Sequence, residues 1–192
     1  MAESILVVRR EFLAPYLTED FGLIRSGAGD ILRVVNEKHE FHPRPEMEDD
    51  PTFKQIIPYV LLSRMGEILA LRRLKKGGEK RLHGQISIGV GGHINPVDDA
   101  EGGALMAGLR REVDEEVGVE HVLSLTPLGV INNDLDEVGR VHLGFLFRME
   151  VAGEVTVRET EKLRGEFVGV ERLREVYDQL EGWSQIALEA IE

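Results

Sequence analysis

The sequence predicts an α+β fold in which a mixed β-sheet is flanked by helices. Short runs rich in β-branched and aliphatic residues have the composition of strands, and turn-forming residues separate them. These strand candidates are residues 56–62, 68–71, 85–90, 128–131, 141–149 and 166–170. One long helical segment, residues 101–117, lies between the two groups of strands. That order favours a single sheet with helices on its faces.

The central helix is predicted from the spacing of its apolar side chains. They recur every four residues in a segment without proline, at Leu105, Leu109, Val113 and Val117. Gly118 follows directly and predicts a left-handed helix end. An amphipathic pattern after residue 171 predicts a C-terminal helix, and a second one is expected after Gly182 and Trp183.

The chain divides in sequence into an N-terminal extension, residues 1–50, and a main domain, residues 51–192. A short strand is expected at residues 5–8 of the extension. The His42-Pro43-Arg44-Pro45 stretch predicts a linker, because a residue before proline is held in extended geometry. We expect the extension to pack on the main domain or on a partner, which leaves a homodimer open.

Composition excludes several classes of function. The 192 residues include no cysteine, so disulfides, thiolate metal sites and cysteine nucleophiles are excluded. No apolar run approaches the length of a membrane span, and the N-terminus lacks the charge order of a secretory signal. A net charge of −12 disfavours nucleic-acid polymers as partners. We therefore predict a cytoplasmic protein that has neither a membrane nor a nucleic acid as its partner.

A basic segment interrupts this acidic sequence. Between residues 72 and 81 six lysines and arginines stand against one glutamate. Two interpretations are open: a solvated end of a hairpin, or a rim that attracts the phosphates of a substrate. The substrate-binding candidates of this segment are Arg73, Lys75, Lys76 and Arg81.

Three glutamates crowd the C-terminal end of the central helix. At about 100° per residue, Glu112, Glu115 and Glu116 share roughly 100° of helix surface. Such neighbours repel one another, and the helix dipole disfavours negative charge at this end. A solvated acidic face is one interpretation of the pattern. The other is a site for Mg²⁺, which prefers carboxylate oxygens together with substrate phosphates.

Residues 111–119, REVDEEVGV, resemble the second half of the Nudix box, G-x5-E-x7-R-E-U-x-E-E-x-G-U, where U is aliphatic. They match it at every specified position. Gly91, Gly92 and His93 are similar to the strand-end segment that precedes the box. The resemblance implies the Nudix fold, an α/β/α sandwich, over roughly residues 54–185. It also implies a pyrophosphohydrolase that uses Mg²⁺, or Mn²⁺ in its place, to cleave a diphosphate linkage in a nucleoside diphosphate derivative.

The first half of the box departs from the pattern. The box glycine would fall at Val97 and the first glutamate at Gly103, and neither residue fits. The nearest replacements are Gly92 and Glu101, which lengthen the loop by five residues, an excess assigned to residues 95–99. In the family the first glutamate pairs with the box arginine. Glu101, Asp98 and Asp99 are the candidates for the partner of Arg111.

The resemblance also implies roles for individual residues. Glu112, Glu115 and Glu116 are the implied metal ligands, and Arg111 would give structural support to the box. Gly118 would close the helix. The implied general base is Glu115 or Glu116, or a glutamate of a later loop: Glu159, Glu161 or Glu166.

Two further interpretations concern His93 and the type of activity. His93 either contacts substrate or packs against the sheet. The imperfect first half of the box keeps open a nonhydrolytic module that binds a nucleotide. Isoprenoid diphosphate isomerisation on the same scaffold is disfavoured, because the related enzymes use a cysteine.

Overall fold

The computed structural model describes residues 2–73, 85–101, 103–158, 160 and 163–191. The strands are β1 (Ser4–Arg9), β2 (Phe21–Ile24), β3 (Glu40–Pro43), β4 (Phe53–Arg64), β5 (Glu67–Arg73), β6 (Ile86–Ser87), β7 (Val90–Gly91), β8 (Val117–Asn133), β9 (His142–Val157) and β10 (Leu163–Gly169). The α-helices are α1 (Arg10–Leu13), α2 (Ala28–Lys38), α3 (Arg44–Met47), α4 (Ala104–Glu116), α5 (Glu137–Val141), α6 (Val170–Glu175) and α7 (Gly182–Ala190). Two 3₁₀ helices are Pro96–Glu101 and Tyr177–Gln179.

The ten described strands belong to one sheet. Six of them follow the hydrogen-bonded order β10-β5-β4-β9-β8-β2, and β1, β3, β6 and β7 pair beside that path. The predicted α+β class is therefore confirmed. Within the described ranges, no helix is both long enough and apolar enough to cross a membrane.

The chain divides into two compact units. Unit 1 comprises Met1–Tyr59, Gly92–Arg110 and Leu128–Leu146. Unit 2 comprises Val60–Gly91, Arg111–Pro127 and Phe147–Glu192.

In unit 1, the N-terminal residues form part of the sheet. β1 pairs antiparallel with β3 and with the start of β4, and β2 pairs with the end of β8. The predicted strand at residues 5–8 is confirmed, and Ile5 and Val7 pack with Met47 and Phe53 in a buried cluster. Burying these side chains is what stabilises the arrangement, at about 25 cal/mol per Å² of apolar surface.

The linker predicted at residues 42–45 is wrong. β3 ends at Pro43, and α3 begins at Arg44 with Pro45 in its first turn. Proline is tolerated there because the first N–H groups of a helix have no partner within the helix. The treatment of residues 1–50 as an extension of a domain that begins at residue 51 stays a prediction.

In unit 2, β5 lies between β4 and β10. β4 turns into β5 through Met65 and Gly66, whose φ angles of 52° and 86° suit a two-residue hairpin turn. β10 pairs with β5 along its whole length. The predicted strand at residues 85–90 is two short strands, β6 and β7. They are separated where the Ser87 hydroxyl donates to the Gly89 carbonyl and accepts from the Gly89 N–H.

Candidate active site

Helix α4 is the element that carries the three glutamates. Its apolar residues Leu105, Leu109 and Val113 are buried, as the spacing predicted. The helix begins later than expected. Residues 96–101 form a separate 3₁₀ helix, and the first backbone hydrogen bonds of α4 run from the Met106 and Ala107 N–H groups to the carbonyl of Gly103. The helical periodicity in the sequence is therefore correct from Ala104 onward only.

Gly118 does not end the helix in a left-handed conformation, so that prediction is wrong. β8 begins at Val117 directly after α4. Gly118 is not among the described glycines that have a positive φ angle. A Cβ atom at Gly118 would lie 2.6 Å from the Thr156 hydroxyl oxygen. The Arg158 N–H also donates to the Glu116 carbonyl over 2.9 Å. Glycine is needed here because β9 passes so close to the end of the helix.

Arg111 lies between two of the three glutamates. Its Nη1 atom is 2.7 Å from Glu112 Oε1 and 3.3 Å from Glu115 Oε1. The Glu112 side chain is 14% exposed, whereas that of Glu115 is 60% exposed. Two carboxylates of the crowded face therefore converge on one cation, which offsets their mutual repulsion. The Glu116 side chain is half-buried.

The three glutamate side chains offer carboxylate oxygens, which are ligands that Mg²⁺ prefers. Among the residues that the structure describes, however, no three Asp, Glu or His side chains stand in an arrangement that would hold a metal ion. In the conformation described, the Glu112 and Glu115 carboxylates are directed at Arg111. Metal binding by all three glutamates therefore needs a change of side-chain conformation. Glu115 is the residue best able to make it, because its side chain is the more exposed of these two.

The candidates for the first half of the box lie in unit 1. Asp98 accepts a hydrogen bond of 2.8 Å from the Asn95 N–H, and the Asp98 N–H donates to the Asn95 carbonyl. This reciprocal pair, with Pro96 in the first helical position, caps the 3₁₀ helix. Asp99 lies 3.4 Å from His39 Nε2. The backbone of Glu101 ends the 3₁₀ helix, but its side chain lies outside the described part, so its pairing with Arg111 stays a prediction.

His93 belongs to a hydrogen-bonded chain in unit 1. Gln55 donates to the Met47 carbonyl over 3.0 Å, so its Oε1 atom faces the imidazole and accepts from His93 Nε2 over 2.7 Å. The His93 ring lies 5.6 Å from that of His142, whose Nδ1 donates to the Val138 carbonyl. Burial lowers the pKa of His93 to about 4 and also lowers the pKa of His142. Both rings are therefore neutral at pH 7.

A buried ionic cluster in unit 1 was missed by sequence reasoning. Lys54 is fully buried, and its Nζ atom donates to Asp134 Oδ1 over 2.8 Å. It also donates to the carbonyls of Gly139 and His142 over 2.9 and 3.1 Å. The only signal in the sequence was a lysine two residues before the apolar run that begins at Ile56.

Asp134 has further partners in the same cluster. Arg10 forms an ion pair with both of its oxygens, and Asn132 Nδ2 donates to Oδ2 over 3.1 Å. Burial alone would raise the pKa of Asp134, but the hydrogen bonds from Arg10, Lys54 and Asn132 outweigh it and lower the pKa to about 2. Burial lowers the pKa of Lys54, and the contact with Asp134 opposes that effect.

The remaining candidates include Gly92 of unit 1 and two described residues of unit 2, Arg73 and Glu166. Arg73 ends β5 opposite Leu163, with its side chain outside the described part. Glu166 is exposed in β10, opposite Ala70. Lys75, Lys76, Arg81, Glu159 and Glu161 lie outside the described residues. Gly92 follows β7 and leads to His93. The phosphate-attracting rim therefore stays a prediction.

The chain is similar in sequence to known proteins. The NUDIX domain model matches residues 52–189. Protein YmaB of Bacillus subtilis is 35% identical over 175 residues, which cover 87% of this chain and 85% of YmaB.

Solved structures show the same fold. The crystal structure of Tm1382, a candidate Nudix hydrolase, is 35% identical, covers 98% of both chains and superposes with a TM-score of 0.86. The NUDIX domain of Shewanella oneidensis NrtR, solved with ADP-ribose, is 14% identical over 72% of this chain and 86% of that one, with a TM-score of 0.54. The predicted Nudix fold is thus confirmed. The chain belongs to the NUDIX domain family and is a hydrolase of the Nudix type.

Proposed function

We propose that this protein hydrolyses a diphosphate linkage in a nucleoside diphosphate derivative and depends on Mg²⁺, with Mn²⁺ as a substitute. The observation that supports this most is the convergence of Glu112 and Glu115 on the Arg111 guanidinium, beside Glu116 on the same helix. Carboxylates on one helix that already pair with a singly charged guanidinium are suited to bind a divalent metal ion.

Each residue of α4 has a role in this proposal. Glu112, Glu115 and Glu116 would hold the metal, and Arg111 would keep Glu112 oriented when Glu115 turns away. A bound Mg²⁺ would neutralise charge on the diphosphate oxygens and help to activate the attacking water. The water oxygen attacks phosphorus and the bond to the bridging oxygen breaks. A carboxylate takes the proton of the water, either Glu115 or Glu116 or a glutamate among 159, 161 and 166.

The substrate class follows from chemistry and from the relatives. The basic residues Arg73, Lys75, Lys76 and Arg81 would attract the phosphates on an otherwise acidic protein. The ADP-ribose bound to the NUDIX domain of NrtR makes that compound a suitable first substrate to test. A cytoplasmic location and a homodimer remain part of the proposal.

The test is turnover of a substrate panel with product identification. The panel holds ADP-ribose, nucleotide sugars, dinucleoside polyphosphates and deoxynucleoside triphosphates, each with Mg²⁺, with Mn²⁺ and with EDTA. We expect metal-dependent release of two phosphate-containing products from at least one compound. Glu116→Gln should lower kcat by about a hundredfold or more.

Asp114→Asn provides the matched control. Asp114 is exposed in the same turn of α4, so this variant removes one negative charge without removing a proposed ligand. It should keep wild-type turnover. Absence of products with every compound and both metals would refute hydrolysis, and equal rates in Glu116→Gln and wild type would refute the ligand assignment.

A second candidate is a nonhydrolytic module that binds a nucleotide. It is favoured by the departure of the first half of the box and by the absence of a gathered metal cluster in the described side chains. Such a protein would gain thermal stability with a nucleotide of the panel and leave it intact.

A further inference from the structure

Within unit 2, the end of β9 is held beside the end of α4. The N–H of Arg158, the residue that follows β9, donates to the Glu116 carbonyl over 2.9 Å. On one face of the strand, Val157 packs closely on β10, because a Cβ atom at Gly165 would lie 2.6 Å from Val157 Cγ2. The two residues that flank Val157 lie instead against Gly118 of β8. Contacts on both faces therefore fix the position of this strand end.

Hydrogen-bond donors from two residues surround the space above Gly118. A Cβ atom at Gly118 would lie 2.6 Å from Thr156 Oγ1, 3.6 Å from Arg158 Nε and 3.8 Å from Arg158 Nη2. Thr156 and Arg158 are both exposed, so a ligand in solution can reach them. Because Gly118 has no side chain, the space between the hydroxyl and the guanidinium is open to an atom that accepts hydrogen bonds.

Arg158 and Arg111, both near the end of α4, differ in their partners. Arg111 already contacts the carboxylates of Glu112 and Glu115. Arg158 forms no ion pair within the part of the chain that the structure describes. A guanidinium presents its N–H donors in a planar fork that fits two oxygens of a phosphate. The charge and the shape of the Arg158 side chain therefore suit a phosphate group.

The alternative is a purely structural role for Arg158. A cation near the C-terminal end of a helix interacts favourably with the helix dipole, and Glu115 and Glu116 add negative charge at this end of α4. Such a role needs neither the neighbouring hydroxyl of Thr156 nor the space above Gly118. It also predicts that removal of the guanidinium lowers stability and leaves ligand affinity unchanged.

We propose that Arg158 and Thr156 bind a phosphate of the diphosphate substrate in the space above Gly118, beside the end of α4. The inference rests on the proposed function for the identity of the anion. All three residues belong to unit 2. Arg158 and Thr156 lie outside the segment that resembles the Nudix box and outside the basic segment at residues 72–81.

The first experiment measures the binding of inorganic diphosphate and of α,β-methylene-ADP by calorimetry in the presence of Mg²⁺. The methylene bridge of the second probe is not hydrolysed, so its binding is measured without turnover. In Arg158→Gln, the affinity for both probes should fall by about tenfold or more, because a charge-assisted contact with phosphate is lost. Arg158→Lys keeps the charge but lacks the planar fork, and its affinity should be intermediate.

Arg172→Gln is the matched control for this experiment. Arg172 is an exposed arginine of unit 2 that pairs with Glu175, so the variant removes the same charge away from Gly118. It should bind both probes like wild type. Three results would overturn the inference: wild-type affinity in Arg158→Gln, an equal loss in Arg172→Gln, or no binding of either probe to the wild type.

The second experiment fills the space above Gly118. In Gly118→Ala/Thr156→Ala the close contact between the new Cβ and the Thr156 hydroxyl is relieved, so urea denaturation should show most of the wild-type stability. The affinity for both probes should nevertheless fall by about tenfold or more, because one donor is lost and the space is occupied. If stability and affinity both return to wild-type values, Gly118 and Thr156 have a structural role only and the inference is overturned.

Failure of the proposed function would give a different result. Both probes would then bind wild type and lose affinity in Arg158→Gln, yet no nucleoside diphosphate derivative would be cleaved. For a compound that is cleaved, Arg158→Gln should raise KM by about tenfold and change kcat less, as expected for a residue that binds the substrate and the transition state alike.

Discussion

The neutral state of His93 predicts a loss of stability in mild acid. The pKa of this buried imidazole is about 4 in the folded protein, against 6.5 for an ordinary histidine. The unfolded chain therefore binds a proton between pH 6.5 and pH 4 that the folded chain does not. The corresponding stability is fully present above pH 6.5 and falls as the pH drops towards 4. Below pH 4 no further loss comes from this residue.

The magnitude follows from these two pKa values. One pKa unit corresponds to about 1.4 kcal/mol, so the full difference is worth about 3 kcal/mol. At pH 5.0 about 2 kcal/mol of it should already be lost relative to pH 7.5. His142 shifts in the same direction, so the comparison must isolate His93.

The assay is urea denaturation of wild type and His93→Gln at pH 7.5 and pH 5.0. Glutamine can still donate to Gln55 Oε1 but does not titrate, so the variant should lose about 2 kcal/mol less than wild type on acidification. Contributions from carboxylates far from the site cancel in this comparison. Equal pH dependence of the two proteins would refute the assignment of a buried neutral imidazole.

Three further predictions follow from the contacts around the site. Gly118→Ala should lower the free energy of unfolding by about 1–3 kcal/mol, because the added Cβ would meet Thr156 Oγ1. In urea denaturation, adding Thr156→Ala should restore most of that loss, and no loss in the single variant would contradict the close approach. Asp134→Asn should lower the free energy of unfolding by about 3–5 kcal/mol, because it leaves Lys54 buried without its carboxylate partner. Glu175→Gln, at the exposed ion pair with Arg172, should change it by less than about 1 kcal/mol, and an equally small effect of Asp134→Asn would show that the buried pair is dispensable. EDTA should leave the fold intact, and Mg²⁺ at 100 times its wild-type Kd should add about 2.7 kcal/mol, read as a rise in thermal midpoint that Glu116→Gln reduces by about half or more.

The parts of the fold that the sequence predicted were those governed by local patterns. The apolar spacing identified α4, and the composition of residues 56–62 and 68–71 identified β4 and β5. β8 extends from Val117, although only residues 128–131 were predicted as a strand. Its first half is largely exposed, so it lacks the alternation that marks a half-buried strand.

The contacts that were missed are long-range. Lys54 and Asp134 are 80 residues apart, and Gln55 and His93 are 38 apart. No local spacing rule connects such residues. Gly118 was singled out correctly but for the wrong reason, because its need for a small side chain arises from Thr156 on a strand that returns later in the chain.

The most direct test of the central claim is a Mn²⁺ titration followed by electron paramagnetic resonance of the free ion. Wild type should bind Mn²⁺ through α4, and Asp114→Asn should bind it equally well. Glu112→Gln and Glu116→Gln should each weaken the site by about tenfold or more. Unchanged Mn²⁺ affinity in both glutamate variants, or no Mn²⁺ bound by wild type even with a nucleotide present, would contradict the account.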